Sequence, residues 1–501
     1  MKNTKQGHFC AFIAKGKFVC YDGKMSTENL YNKLIEYSKS EAYPFHMPGH
    51  KRQILSMADP YGFDLTEIDG FDNLHDAEDI LLQEQKRAAR LYVAEESHIM
   101  VNGSTGGLLS AISGVCHRGD RVLVARNCHT SVYHALELNG LRPVYIWPEL
   151  DETLGIYKGL RCNQVEALLE TYPDIRAVIF TSPTYEGLFS DVRGICKAAH
   201  AKGIPCIVDE AHGSHLRWLG FDDAMDCGAD VVIQSLHKTM PALTQTALLH
   251  IQGNLVPKER IRKMLATYQT SSPSYVLMAS MSLCMSWLEN EGPATFEIYK
   301  KQTLQLRERL SGLKHIFLYS PEEDFDFGKL VIGTTHASLN GRQLYDRLRD
   351  EFKLQMEMVC AEHVLAMTTA GDSKEGLERL ARALEQMDSE LESNVSERIW
   401  FDEKSFEIRL WAPERMLEID EAVDLAMEEI PLVQAEGRII GDYVYLYPPG
   451  IPLLVPGEVL GSAQIEQIQY FERQGLDVHG GYIKENKDVK VILHHGEKCI
   501  R

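Results

Sequence analysis

The sequence predicts an α/β protein: a large domain on a mainly parallel sheet, followed by smaller α+β domains. Three observations predict it. Between residues 99 and 251, short apolar runs alternate with helical patterns, the rhythm of βαβ units. After Pro257 the pattern changes to longer helices, then to a mixed unit over residues 301–395. At 501 residues the chain is too long for one small core.

Composition narrows the class. Hydrophobic content of 44% and charged content of 25% are those of a soluble globular protein. A net charge of −20 repels nucleic acid and anionic membrane, so neither is an expected partner. The 11 cysteines are odd in number and form no CxxC pair, which argues for reduced thiols in a cytoplasmic protein and against a metal site. The apolar patch Phe9 to Ala14 is too short for a signal peptide or a membrane span.

In chain order, residues 1–40 are expected to be an arm packing on another part of the assembly. Thr27 to Ser38 suits a helix with Leu30, Leu34 and Tyr37 on one face. Residues 41–300 form the large domain. In Phe45-His46-Met47-Pro48-Gly49-His50-Lys51 two histidines stand four apart, but Pro48-Gly49 breaks the helix that a zinc pair needs. A rigid loop beside a site is the better reading, and Asp64 to His75 is again loop-like. Asp79 to Tyr92 reads as a helix with Ile80, Ala88, Leu91 and Tyr92 inward.

Ile99 to Val101 then leads into Asn102-Gly103-Ser104-Thr105-Gly106-Gly107 and the apolar helix Leu108 to Val115. Backbone N–H groups at such a helix start hold a phosphate, and Ser104 and Thr105 add hydroxyls. A plain helix cap explains the same residues. The apolar runs are Val122–Ala125, Val144–Trp147, Ala177–Phe180, Ile204–Val208, Val231–Ile233 and Ala247–Ile251. Helices are expected at Ser131–Asn139, Val165–Thr171, Val192–Lys202 and Asp222–Cys227. Ligands of such sheets sit beyond the carboxyl ends of the strands. That directs attention to Asn127–His129, Ser182–Tyr185, Asp209–His212 and Ser235–Lys238.

Residues 301–395 read as a small α+β domain, with Leu377, Leu380, Leu384 and Met387 on one face of its last helix. Residues 396–501 open with a strand-like run, Phe406 to Trp411, and hold a proline-rich stretch before Glu458.

The decisive pair is Asp209 and Lys238. Each follows a buried strand, about one βαβ unit apart, so adjacent strand ends aim a carboxylate and an amine into one pocket. Pyridoxal 5′-phosphate (PLP) needs that pair. The lysine holds it as a Schiff base, and the carboxylate keeps the pyridine nitrogen protonated so that the ring is an electron sink. The glycine turn would take the phosphate and His129 would lie on the ring. Taken singly, these features also read as a snorkelling lysine and ordinary caps.

Eight stretches then resemble the bacterial ornithine/lysine/arginine decarboxylase family of fold-type-I PLP enzymes. They are PFHMPGHK (44–51), VNGSTGG (101–107), RNCHTS (126–131), SPTYEG (182–187), VDEAHGSH (208–215), SLHKTMPALTQTA (235–247), TSSPSYVLMAS (270–280) and YPPGIPLLVPGE (447–458). Ile233 and Pro241-Ala242 stand where that family has small residues. The chain is similar to the family's shorter forms, the arginine decarboxylases, and is expected to lack the extra N-terminal domain of the large members.

The resemblance implies a fold-type-I large domain (41–300), a small α+β domain (301–395) and a C-terminal decarboxylase-family domain (396–501). It implies Lys238, Asp209 and His129 as catalytic residues. Ser104, Thr105, Gly106, Ser235 and His237 would hold the phosphate, with Ser271 or Ser272 entering from a second subunit. Ala211 would support the ring, Glu458 would face the distal cation of the substrate, and His212 would contact substrate. Loop hydrogen bonding is the plainer reading of Ser272 and His212, as is a helix cap for Glu458. The implied activity is α-decarboxylation of arginine, lysine or ornithine by a cytoplasmic homodimer or larger homo-oligomer, in polyamine biosynthesis. The rivals are an aminotransferase or lyase on the same scaffold, or a silent PLP-binding paralogue. An aminotransferase would grip the α-carboxylate with an arginine, for which Arg409 and Arg438 are candidates.

Overall fold

The computed structural model describes residues 12–14, 17–19, 30–151, 153–392, 412–447 and 450–493. The chain divides into two compact units, residues 1–42 and 43–501. The first carries a hairpin, Phe12–Ala14 with Lys17–Val19, and a helix at Leu30–Ser38. Leu30, Leu34 and Tyr37 of that helix are exposed. The expected run Phe406 to Trp411 lies outside the described residues.

The second unit is built on a seven-stranded sheet. Its strands are β1 (Glu96–Met100), β2 (Arg121–Ala125), β3 (Arg142–Ile146), β4 (Ile175–Thr181), β5 (Cys206–Asp209), β6 (Val231–Ser235) and β7 (Ala247–Ile251), in the spatial order β1-β7-β6-β5-β4-β2-β3. Neighbours from β3 to β6 run parallel, and β7 is antiparallel to both β6 and β1. Strands buried on both faces need continuous apolar runs, which is why β5, β6 and β7 are buried along their whole length. Helices Gly103–Val115, Thr130–Asn139, Cys162–Thr171 and Val192–His200 make the crossovers.

Two expectations fail locally. Asp222–Cys227 is not a helix but a turn, in which Asp223 Oδ1 accepts from Asp226 N at 3.0 Å. Helix Ile80–Leu91 turns Leu81, Gln85 and Ala88 inward and leaves Ile80 at 46% exposure, because Ile80 is its first residue and falls off the packed face.

Helices Lys258–Tyr268, Tyr275–Asn290 and Gly292–Leu310 follow. They lead to a second sheet of β8 (Phe317–Leu318), β9 (Lys329–Gly333), β10 (Met358–Val359) and β11 (His363–Met367), ordered β8-β9-β11-β10. Helix Lys374–Glu392 packs Leu377, Leu380, Leu384 and Met387 into the core of this sheet. Tyr43–Phe45 pairs in parallel with Leu354–Met356 in a separate two-stranded sheet, which ties the start of this unit to the segment just before β10. The last described stretch forms two three-stranded sheets, one of them containing Ile451–Leu454.

Candidate active site

The carboxyl ends of β2, β4, β5 and β6 open into one cavity of about 390 Å³, within the range of small-molecule sites. All four stretches singled out after the strands contribute to it: Asn127 and His129, Thr184 and Tyr185, Asp209, Ala211 and His212, and Ser235, His237 and Lys238.

Lys238 sits in the short helix Leu236–Thr239 that ends β6. The loop from Phe45 presses on this helix from outside. Gly49 N donates to His237 O at 2.8 Å, and a side chain at Gly49 would lie 2.8 Å from Met240 O. The PGH stretch is therefore a backbone wedge. Gly107 has a parallel role under β6. A Cβ there would meet Ile233 Cγ2 at 2.9 Å, so the glycine makes the room that Ile233 fills.

Asp209 ends β5 beside β6, pairing with Ile233. Its Oδ1 accepts from Ala211 N at 3.1 Å. Burial pushes the Asp209 carboxyl up, against the pull of Lys238. Burial likewise pushes the Lys238 amine down, against Asp209 and Glu357. Desolvation of that kind makes an amine nucleophilic near neutral pH. His129 and His237 are both held down to about 4 by burial, so they face the cavity as neutral rings.

The residues fit PLP. Helix Gly103–Val115 points its N-terminus into the cavity, with Ser104 and Thr105 lining it. Ser104 Oγ lies 2.6 Å from Ser235 Oγ, which brings two hydroxyls to that helix start. Gly106 approaches so closely that a Cβ would meet the Asn102 side chain at 2.3 Å. The buried Asn127 Oδ1 lines the cavity with no hydrogen-bond partner, an acceptor left for a bound group.

Some expected residues are elsewhere. Glu458 does not line the cavity. It is 1% exposed and pairs with Arg126, Oε2 to Nη2 at 3.1 Å, while Val455 N donates to it at 2.9 Å. Arg126 also donates to Pro452 O at 2.7 Å and sits among the rings of Tyr133, Tyr145 and Trp147. A buried guanidinium needs a counter-charge, and Glu458 supplies it. Ser271 and Ser272 stand exposed in the loop between two helices, outside the cavity of their own chain. Among the described residues no arginine lines the cavity. Arg438 pairs with Glu428 at 2.7 Å, and Arg409 lies outside the described residues.

The sequence reading missed Lys329, which heads β9 of the second sheet, and Glu357, at the bend between Leu354–Met356 and β10. Glu357 lines the cavity, held by Tyr185 Oη and by Met47 N at 2.8 Å. Lys329 lies behind His212, Nζ to Nδ1 at 3.0 Å. The signal available was a charge beside apolar residues: Lys329 before Leu330–Ile332, Glu357 between Met356 and Met358. Away from the cavity, His200, Cys206 and Asp230 bring potential metal-ligand atoms within 4.8 Å of one another. There Asp230 Oδ2 is already bonded to His200 Nε2 and Cys206 N, each at 2.8 Å.

Comparison with known proteins decides the family. The model of the Orn/Lys/Arg decarboxylase major domain matches residues 28–326, and that of the C-terminal domain matches 413–485. This chain belongs to the Orn/Lys/Arg decarboxylase family. An arginine decarboxylase of Bacillus subtilis is 32% identical over 90% of this chain and 95% of its own length. One of Bacillus anthracis is 30% identical over 93% of this chain and 97% of its own. A lysine decarboxylase structure from Francisella novicida superposes with a TM-score of 0.75 at 19% identity, covering 93% of this chain and 81% of that one. As a family member the chain is an amino-acid decarboxylase, a carboxy-lyase with a fold-type-I large domain. No helix among the described residues is long and apolar enough to cross a membrane.

The place of Glu458 yields a prediction. Glu458→Gln is expected to lower the melting temperature and leave the KM for substrate close to the parent value. Removing one partner of a buried pair costs about 3–5 kcal/mol. Thermal melts and steady-state kinetics check it. A tenfold higher KM at unchanged melting temperature would return Glu458 to the substrate.

Proposed function

We propose that this protein converts arginine to its amine and CO2 with PLP bound at Lys238. The observation that carries the reading is the meeting of Asp209 and Lys238, at the ends of adjacent parallel strands, in one cavity without an arginine among its described lining. Arginine is favoured over lysine and ornithine by the arginine decarboxylases at about 30% identity over most of the chain.

PLP, held as a Schiff base on Lys238, supplies an electron sink for the pair left when the Cα–carboxylate bond breaks. The chain's own residues do the rest. Asp209 would keep a proton on the ring nitrogen, and His129 and Ala211 would hold the ring. Ser104, Thr105, Gly106, Ser235 and His237 would bind the phosphate, with the positive end of helix Gly103–Val115 behind them. Ser271 or Ser272 enters from a second copy, in a homodimer or larger assembly. Lys238 accepts and returns a proton at Nζ as the product leaves. In this reading residues 41–300 carry the cofactor, 301–395 supply Glu357, 396–501 cover the site, and 1–40 are an arm. The protein is cytoplasmic and feeds polyamine synthesis.

Glu357 takes the part that Glu458 cannot, receiving the distal cation of the substrate, with half-buried Glu186 in the same lining. Glu357→Gln is therefore expected to raise the KM for arginine tenfold or more and to narrow the preference for basic over neutral amino acids. The loss of one charge-assisted hydrogen bond is worth roughly 1.5–3 kcal/mol. Unchanged KM and selectivity would make Glu357 a clamp for Tyr185 and Met47 only.

The activity itself is tested by supplying purified protein and PLP with carboxyl-labelled arginine, lysine and ornithine. Labelled CO2 and matching amine from arginine are expected. A keto acid without CO2 would mean an aminotransferase, and bound PLP without any product a silent paralogue.

A further inference from the structure

The site leaves one buried cation unexplained. Lys329 heads β9 of the second sheet, is 2% exposed, and lies outside the lining of the cavity. Its Nζ is 3.0 Å from His212 Nδ1, and the other ring nitrogen, Nε2, is 3.0 Å from Lys238 Nζ. The ring of His212, 5% exposed, is thus clamped between two amines from different sheets.

The valence of imidazole makes this arrangement informative. A neutral ring has one N–H donor and one lone pair, so two ammonium groups cannot both donate to it. With both contacts as hydrogen bonds, one lysine donates as an ammonium while the other accepts as a free amine. The tautomer of His212 then follows whichever lysine holds the proton.

We propose that Lys329 is the proton partner of Lys238, the two amines sharing one proton through the imidazole of His212. In one state the Lys238 ammonium donates to Nε2, and Nδ1–H donates to the free amine of Lys329. A proton passes from Lys238 Nζ to Nε2 while the Nδ1 proton passes to Lys329 Nζ. Lys238 is left as a free amine with its lone pair available, and Lys329 as the ammonium. One proton is displaced, the ring tautomer flips, and no electron changes hands. The reverse shift restores the proton to Lys238. Lys329 touches neither cavity nor substrate and acts as a positioning residue. The inference rests on the reading of Lys238 as the nucleophile.

The surroundings suit a single shared proton. Lys238, Lys329, His129 and His237 all oppose a charge on His212, and burial keeps that ring neutral. Tyr185 packs on it with ring centroids 4.4 Å apart. Asp209 and Glu357 favour the charge on Lys238, while Asp326 and Glu357 favour it on Lys329 and Lys51 opposes it there. Glu186 also faces Lys329. Asp326 is shared with His215, 3.1 Å away, and with Gly328 N at 2.9 Å. Burial brings Lys329 down to about 8, against the pull of Asp326, so it gains and loses a proton near neutral pH.

The test is the pH dependence of Lys238 reactivity in the full chain freed of cofactor. Trace acetic anhydride labels free amines only, and peptide mass spectrometry reads Lys238 alone. Lys329→Met removes the competing cation and the proton acceptor, so Lys238 should retain its proton to higher pH. The labelling midpoint is expected to rise by about one unit or more, a roughly tenfold slower reaction at neutral pH. Lys329→Arg keeps a donor to Nδ1, but guanidinium does not take up a further proton. Its Lys238 midpoint should stay at or below the parent value while turnover falls at least tenfold. A parental midpoint in Lys329→Met overturns the proposal. So does parental turnover with a parental pH–rate profile in Lys329→Arg, which decides alone if the methionine variant does not fold. The labelling arm needs no substrate, so its failure is distinct from failure of the decarboxylase reading.

Discussion

Lys238→Ala is expected to abolish decarboxylation while leaving the fold intact. Alanine has no amine, so the protein loses its covalent hold on the cofactor, and the loss should span several orders of magnitude. Stability should be unchanged or higher. The side-chain nitrogen of Lys238 has His212 at 3.0 Å, and burial works against its charge. Removing a desolvated amine relieves a penalty. Thermal melts, the visible absorption of lysine-bound PLP, and labelled CO2 release together check the prediction. Parental CO2 release from the variant would end the assignment.

Asp209→Asn is expected to bind PLP and lose most turnover. The amide keeps the acceptor for Ala211 N, so the end of β5 should hold its shape. It carries no charge to stabilise a protonated ring nitrogen, and losing a preorganised electrostatic partner costs about 2.7–4 kcal/mol, or 10²–10³ in rate. Single-turnover kinetics isolate the chemical step. Near-parental rates would leave Asp209 as a strand-end cap.

These two residues were readable because local sequence states their place. β5 and β6 open with the apolar runs Cys206–Val208 and Val231–Ile233, and a charge within a few residues of such a run stands at or just beyond a strand end. The glycine-rich first turn of helix Gly103–Val115 was legible for the same reason. Glu458 was not. Four prolines in YPPGIPLLVPGE suggest a rigid arm presenting an acid, but they say nothing about what receives it. The receiver, Arg126, follows apolar β2 and is itself buried, so its need for a counterion was the missed clue. Glu357 and Lys329 escaped because one stands at the bend before β10 and the other heads β9, and both reach the site through long-range packing that no local pattern records. The helix expected at Asp222–Cys227 failed because acidic side chains there bond the backbone in a turn.

Three buried or half-buried lysines, Lys51, Lys238 and Lys329, lie in this region, and Lys329 feels the charge of the other two. The most direct measurement is therefore borohydride reduction of the PLP-loaded protein, followed by peptide mapping of the fixed cofactor. The account predicts one label per chain, on Lys238. A label on Lys51 or Lys329, or no label from protein that has bound PLP, would contradict it.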